Sequence, residues 1–189
     1  MTASLERRLK DIIIETPSLM QVLRTAREIN LPDWMIFSGA IYQRVLNTLT
    51  NRDLDYGVRD YDLGYFDPDT SYEAEDAIIG RVADRFEQPL RDMVEVRNQA
   101  RVHLWFEAKF GETYAPLTCT AEAPSRFTTT AFAVGARLEA NDSISIIAPF
   151  GLDDLFALTL RPNPNRVTGG FKRTAQSALL RWPELKVVE

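Results

Sequence analysis

Apolar residues recur three or four positions apart in five stretches of the first 111 residues, which is the spacing of one buried helix face. The predicted helices span residues 4–15, 17–30, 40–49, 71–88 and 98–110. Thr16 can cap the second helix ahead of Pro17, and Ser38 can cap the third. A capping box at residues 70–73 is predicted to open the fourth helix, and Gly111 to close the fifth.

Three short apolar runs lie between these helices and are predicted as strands, at residues 34–37, 60–66 and 93–97. The first run has no polar break, which favours a strand that is buried on both faces. In the second run the side chains alternate between two faces. Tyr61, Leu63 and Tyr65 fall on one face, and Asp60 and Asp62 fall on the other.

The pattern changes after residue 111. Apolar runs at residues 134–138 and 143–147 flank Asn141-Asp142, which predicts a β-hairpin. Residues 151–160 are predicted to be helical, and a last helix carries Phe171 and Trp182. We therefore predict an α+β fold and a single domain over residues 1–189, with a catalytic core at 1–111 and an extension at 112–189.

Composition and charge exclude several classes of protein. Among the 189 residues 45% are hydrophobic and 26% are charged, which is typical of one globular domain. The net charge of −5 argues against a sequence-independent grip on long nucleic acid. The single cysteine, Cys119, excludes an intrachain disulfide and a cysteine-rich zinc site. No apolar run approaches the ~18 residues that cross a bilayer, so we expect a cytoplasmic protein without a membrane partner.

The pair Asp60 and Asp62 carries the strongest chemical signal. Their side chains share one strand face, so their charges repel and raise the pKa of one of them. A divalent cation between them removes this repulsion, and Mg²⁺ prefers carboxylate oxygens as ligands. Glu95 lies in the third predicted strand and can complete the site. We therefore predict that these three carboxylates bind metal and are catalytic.

A second signal is the turn at Ser38, Gly39 and Ala40, which joins a predicted strand to a predicted helix. Free N–H groups at such a helix start can bind phosphate. Nucleotidyl transfer requires that a hydroxyl attack the α-phosphorus of a nucleoside triphosphate in line with the departing pyrophosphate. Two metal ions can hold the attacking and leaving oxygens. The turn is predicted to contact the β- and γ-phosphates, and Glu95 to lie beside the acceptor hydroxyl.

These residues resemble a known signature. Gly39-Ala40, then Asp60-Tyr61-Asp62, then Glu95 within Val94-Glu95-Val96, is similar to the nucleotidyltransferase superfamily that includes DNA polymerase beta. Further stretches, at residues 59–67, 98–105, 151–156 and 161–164, resemble one poorly characterised bacterial branch of it. The resemblance implies a short mixed sheet flanked by helices, Mg²⁺ with Mn²⁺ as the alternative, and transfer of a nucleoside monophosphate to an unidentified acceptor. Acceptor specificity is predicted to reside in residues 112–189.

The sequence leaves several alternatives open. Ala40 stands where the superfamily usually has serine or glycine, which motivates the alternative of an inactive module that binds a nucleotide or a partner. Asn98, Arg101 and His103 are candidate substrate contacts. Asn98 can equally be an N-cap, Arg101 can neutralise Glu95 or hold a phosphate, and His103 can be a structural hydrogen-bonding group. Trp34, Trp105 and Trp182 are predicted to lie in the core.

Overall fold

The computed structural model describes residues 2–166 and 170–188, with side chains from residue 4 onward. The α-helices are α1 (Thr2–Ile14), α2 (Pro17–Ile29), α3 (Gly39–Leu49), α4 (Tyr72–Ala83), α5 (Leu90–Met93), α6 (Val102–Phe110), α7 (Asp153–Phe156) and α8 (Gly170–Leu179). The strands are β1 (Met35–Phe37), β2 (Tyr61–Tyr65), β3 (Val94–Asn98), β4 (Gly135–Leu138), β5 (Ile144–Ile147), β6 (Thr159–Leu160) and β7 (Lys186–Val187). Three 3₁₀ segments lie at Gln99–Arg101, Thr120–Arg126 and Thr130–Phe132.

Five strands form one mixed sheet in the order β3-β2-β1-β4-β5. Strands β2 and β3 run parallel, while the pairs β1–β2, β1–β4 and β4–β5 are antiparallel. The predicted α+β class and the short mixed sheet flanked by helices are confirmed. The predicted hairpin is also confirmed, since Leu138 pairs with Ile144, and through β4 it joins the same sheet as the strands of the first 111 residues.

The two faces of the sheet have different surroundings because the side chains alternate. Ile36, Tyr61, Leu63 and Tyr65 are each at most 1% exposed and pack into the main hydrophobic core with α1, α2 and α3. Burial of this apolar face supplies most of the driving force for folding. The other face carries Asp62 and points away from this core.

A smaller hydrophobic cluster covers part of that second face. Met35 and Phe37 pack there against Leu117 and Ala123 from the segment that follows α6. Gly64 lies directly under Phe37, and a β-carbon at this position would overlap the Phe37 ring. Close packing against Phe37 therefore requires glycine at this position of β2, two residues after Asp62.

The predicted helix ends need correction in several places. Thr16 and Ser38 occupy N-cap positions without a capping side-chain bond, and the Thr16 hydroxyl instead donates to the carbonyl of Ile12. In α4 the cap is Ser71, whose hydroxyl accepts from the amide of Ala74 at 3.3 Å, so the cap lies one residue after the predicted Thr70 and, with alanine at position 74, the predicted box does not form. This helix ends at Ala83 rather than near residue 88.

The C-terminal part also differs from its prediction. Residues 151–160 were predicted as one helix, whereas the structure has the short α7 followed by β6. Strand β7 pairs with β6 in parallel. It was not predicted, because a strand of two residues is too short to show an alternating pattern. Within residues 2–166 and 170–188, the structure contains no helix of the length and hydropathy needed to cross a bilayer.

Candidate active site

Strands β2 and β3 carry the predicted carboxylates on one face of the sheet. Asp62 and Glu95 are register partners in the parallel ladder, and such partners project to the same side. Asp60 precedes β2 by one residue and shares its face with Asp62. The three acidic side chains therefore come from adjacent strands and point away from the main core.

The electrostatics of this face are unfavourable without a bound cation. Desolvation, followed by the charges of Asp60 and Glu95, raises the pKa of Asp62 to about 7. Asp62 is solvent-exposed by surface area, but it lines a cavity, where the surrounding protein desolvates its carboxylate. Desolvation, and then the charge of Glu95, also raises the pKa of Asp60. A site with this excess negative charge is suited to a divalent cation.

The turn that precedes α3 lies beside the first of these carboxylates. A β-carbon built on Gly39 would be 3.8 Å from Oδ1 of Asp60. Ser38 has φ 49° and ψ −115°, a conformation that favours glycine, and its amide donates to the carbonyl of Val134 at 2.9 Å. The amides of Gly39 and Ala40 open α3, where helix geometry gives them no intrahelical acceptor. They are the N–H groups available to an anion at this turn.

Glu95 has a cationic neighbour on its own strand. Its carboxylate lies 3.8 Å from Nη2 of Arg97, two residues further along the same face. Within the described ranges, no three acidic, histidine or cysteine side chains are grouped closely enough to hold a metal ion. The oxygen donors of Asp60 and Asp62 suit Mg²⁺ chemically. Glu95 would have to turn from Arg97 toward the aspartates to join them.

Two residues near Asp60 were not predicted as functional. The charge of Arg181 offsets part of the rise in the pKa of Asp60 that desolvation causes, and the same guanidinium acts on Tyr42. Burial raises the pKa of Tyr42, whose ring stacks on Phe132 with centroids 3.6 Å apart. Arg181 follows α8 and donates to the carbonyl of Gly57 at 3.2 Å. This contact joins two residues that are 124 positions apart in the sequence, and it places a cation near Asp60. No local sequence pattern indicates it.

A cavity of about 320 Å³ opens beside the other two carboxylates. Asp62 and Glu95 form part of its wall, together with residues of α6 and of the segment 114–127. Trp105 belongs to this wall and is partly exposed, so its predicted place in the core is wrong, whereas Trp34 and Trp182 are buried. The cluster of three aromatic residues in α6 was the available signal for this cavity.

The candidate substrate contacts Asn98, Arg101 and His103 lie outside the cavity wall. The Asn98 side chain caps the following 3₁₀ turn and holds the loop after β2 through the carbonyls of Asp67 and Asp69. Arg101 forms a buried ion pair with Glu75, not with Glu95. His103 is half-buried, and its Nδ1 has no hydrogen-bond partner among the described residues. Their contact with substrate stays a prediction.

A comparison with protein families bears on this arrangement. A family profile described as nucleotidyltransferase matches residues 24–187. The chain belongs to this nucleotidyltransferase family. The match covers α3 with its glycine turn, both carboxylate-bearing strands and the C-terminal segment with Arg181. The family supports nucleotidyl transfer from a nucleoside triphosphate as the general chemistry.

Solved structures share the fold of this nucleotidyltransferase. An NMR structure described as a CCA-adding enzyme head domain superposes with a TM-score of 0.78 at 23% identity, covering 97% of this chain and 95% of that one. A CCA-adding enzyme in complex with CTP gives a TM-score of 0.53 at 17% identity, covering 96% of this chain but 43% of that one. The chain thus spans less than half of the longer enzyme. No curated protein matches the chain significantly in sequence.

Proposed function

We propose that the protein is a metal-dependent enzyme that transfers a nucleoside monophosphate from a nucleoside triphosphate to a hydroxyl acceptor and releases pyrophosphate. The observation that carries this proposal is the position of Asp60, Asp62 and Glu95 on one sheet face beside the Gly39 turn. Desolvation, together with repulsion from Asp60 and Glu95, raises the pKa of Asp62, and this cost of holding the charged carboxylate is one that a bound cation would relieve.

In this proposal the chain's own residues bind and orient the reactants. The amides of Gly39 and Ala40 would hold the β- and γ-phosphates, and Arg181 would add positive charge near Asp60. The acceptor oxygen forms a bond to the α-phosphorus as the bond from that phosphorus to the bridging oxygen breaks. The hydroxyl proton passes to a carboxylate, for which Glu95 is the candidate, and pyrophosphate leaves with the electron pair.

Asp60 and Asp62 would hold the metal. Glu95 would become a third ligand when its side chain turns from Arg97 toward the two aspartates. Mg²⁺ bound there supplies charge neutralisation for the triphosphate and for the oxygens that gain charge during transfer. Mn²⁺, which takes similar oxygen ligands, is the second metal to test.

Isothermal titration with a nonhydrolysable triphosphate tests the proposal directly. CTP analogues come first, because a CTP complex exists for a structural relative. We expect saturable binding that requires Mg²⁺ and weakens at least tenfold in Asp62→Asn. The matched control is Asp76→Asn, an exposed aspartate of α4. Absence of heat with folded wild-type protein and all four triphosphate analogues would contradict the proposal.

A second candidate function is a module of the same fold that binds a nucleotide or partner without catalysis. It is supported by the contact of Glu95 with Arg97 and by Ala40 after the glycine. Pyrophosphate release separates the two candidates. If the protein is an enzyme, adding a triphosphate together with the small-molecule or the macromolecular fraction of a cell extract releases pyrophosphate, and Asp62→Asn abolishes this release. In the module, neither the small-molecule nor the macromolecular fraction elicits release.

A further inference from the structure

Aromatic rings form one side of the cavity beside Asp62 and Glu95. Trp105, Phe106 and Phe110 of α6 form one wall, and Tyr114 and Phe127 continue it. The rings of Phe106 and Phe110 have centroids 4.7 Å apart, and those of Phe106 and Tyr114 are 4.5 Å apart. Such a wall favours a flat apolar ring, which can stack or pack edge-on against it.

The cavity is bordered by two of the three carboxylates, while the glycine turn lies beside the third. Gly39 is adjacent to Asp60, and neither residue contributes to the cavity wall. Asp62 and Glu95 do contribute to it. Under the proposed function the triphosphate lies at the turn, and in-line attack brings the acceptor hydroxyl from the side opposite the leaving pyrophosphate. A ligand in the cavity would lie beside Asp62 and Glu95, where the proposed function places the acceptor hydroxyl.

The cavity also offers a positive charge. The guanidinium of Arg126 lies 5.9 Å from the Tyr114 ring centroid, and its Nε is buried without a hydrogen-bond partner. Among the described residues Arg126 forms no salt bridge, although its charge contributes weakly to lowering the pKa of Glu122. An unpartnered buried donor on the wall of a cavity favours an anionic or strongly accepting group on the ligand.

We propose that this cavity is the acceptor site, and that the acceptor is a compact molecule with a flat ring, an anionic group and a hydroxyl. The inference rests on the proposed function and names its acceptor class. A volume of about 320 Å³ suits a small ring-bearing molecule and is at the lower end of ligand pockets. The ring lies against α6, the anion against Arg126, and the hydroxyl faces Asp62 and Glu95.

Titration calorimetry with 1-naphthyl phosphate tests the site, because this probe combines the ring and the anion. We expect 1-naphthyl phosphate to bind at least tenfold more tightly than 1-naphthol or inorganic phosphate alone. Arg126→Gln is expected to weaken binding about tenfold and Phe110→Ala about fivefold. Phe110 is 48% exposed, so its truncation leaves the core intact.

Matched controls come from the same surface types. Leu104→Ala changes an exposed side chain of α6 outside the cavity, and Arg85→Gln removes an exposed arginine that pairs with Glu28. Both variants are expected to bind the probe like the wild type. The proposal is overturned if Leu104→Ala weakens probe binding as much as Phe110→Ala, or if Arg85→Gln weakens it as much as Arg126→Gln. It is also overturned if the wild type does not bind 1-naphthyl phosphate.

A competition experiment separates an acceptor site from a site for the base of the donor. The probe is titrated into protein saturated with Mg²⁺ and a nonhydrolysable triphosphate, and unchanged affinity supports the acceptor site. Competition between the two overturns it, because the donor's base would then fill the cavity. Probe binding without any triphosphate binding supports the cavity as a ligand site and overturns nucleotidyl transfer.

Discussion

Glu75 and Asp62 are two carboxylates near strands β2 and β3, and the charges and hydrogen bonds that surround them differ. The side chain of Glu75 is 10% exposed, pairs with Arg101 and accepts from the amide of Asn98 at 2.8 Å. Asp62 is more exposed, yet in the described part of the chain it has no ion pair, and its pKa is raised to about 7.

The two carboxylates differ in compensation, because Glu75 has a cationic partner and Asp62 has no ion pair among the described residues. Burial of a charge is tolerated where an opposite charge and hydrogen bonds compensate it, as they do for Glu75. An acidic pair that lacks compensation lowers stability and persists where a ligand supplies the missing charge. The region around Glu75 therefore holds β2, β3 and α4 together, while Asp62 lacks the compensating charge that a cation would supply under the proposed function.

The largest expected effect comes from breaking the compensated pair. Arg101→Met leaves the carboxylate of Glu75 buried without its partner, so we expect a loss of about 3–5 kcal/mol in the free energy of unfolding. Urea denaturation measures it. Arg91→Gln, which removes an exposed ion pair with Asp84, should cost less than about 1 kcal/mol. Similar losses in both variants would erase the distinction between the two regions.

The next effect is on chemistry. Asp62→Asn should reduce pyrophosphate release by about 10²–10³-fold, because the site loses charge where the metal and triphosphate bind. The variant should remain folded by circular dichroism. Asp76→Asn is the control, with expected wild-type activity. An active Asp62→Asn enzyme would place the chemistry elsewhere in the protein.

A smaller effect is expected at the cation beside the uncompensated region. Arg181→Gln should raise the dissociation constant for a nonhydrolysable triphosphate about tenfold, which corresponds to about 1.4 kcal/mol. Calorimetry in the presence of Mg²⁺ measures it. Arg173→Gln on the exposed surface of α8 provides the comparison and should bind normally. If both arginine variants behave alike, Arg181 has no specific part in phosphate binding.

The smallest effect is the pH dependence of stability without metal. The pKa of Asp62 is raised in the folded state, so the native protein keeps a proton that the unfolded chain releases. Stability should therefore fall as pH rises from about 4 to about 7 and then level off. Allowing for solvent screening of this exposed group, the change is on the order of 1 kcal/mol.

Thermal unfolding in EDTA at pH 5 and pH 8 measures this slope. Asp62→Asn should flatten it and be more stable than the wild type at pH 8, and Mg²⁺ should stabilise only the wild type. Identical slopes in the two proteins would mean that Asp62 is not the group responsible.

Local patterns were sufficient for much of the architecture. The alternation of Tyr61, Leu63 and Tyr65 with Asp60 and Asp62 fixed which side of β2 faces the core, because the period of a strand is two. Helical spacing located the six described helices of nine or more residues, and the Asn98 cap and the Gly111 end were evident from residue type. The same period-two argument applied to Glu95 and Arg97 would also have indicated their contact.

Long-range contacts were beyond such patterns. Arg101 was expected near Glu95 or a phosphate, but α4 packs on β3 and presents Glu75 to it. Residue type specifies that an arginine needs an anion without specifying which one. Arg181 reached the site because the segment after α8 packs on the Gly57 loop, and the cavity formed because residues 114–127 fold back over the second sheet face.

The sequence by itself determined the class of fold, the strand faces and the three acidic residues that a nucleotidyltransferase would use. Those features depend on the periodicity and chemistry of neighbouring residues. Only the tertiary structure decided which charges are paired, where Arg181 lies, and that Trp105 borders a cavity beside Asp62. These depend on how distant segments pack, and the free energy of that packing is shared among many weak contacts that no short stretch of sequence encodes.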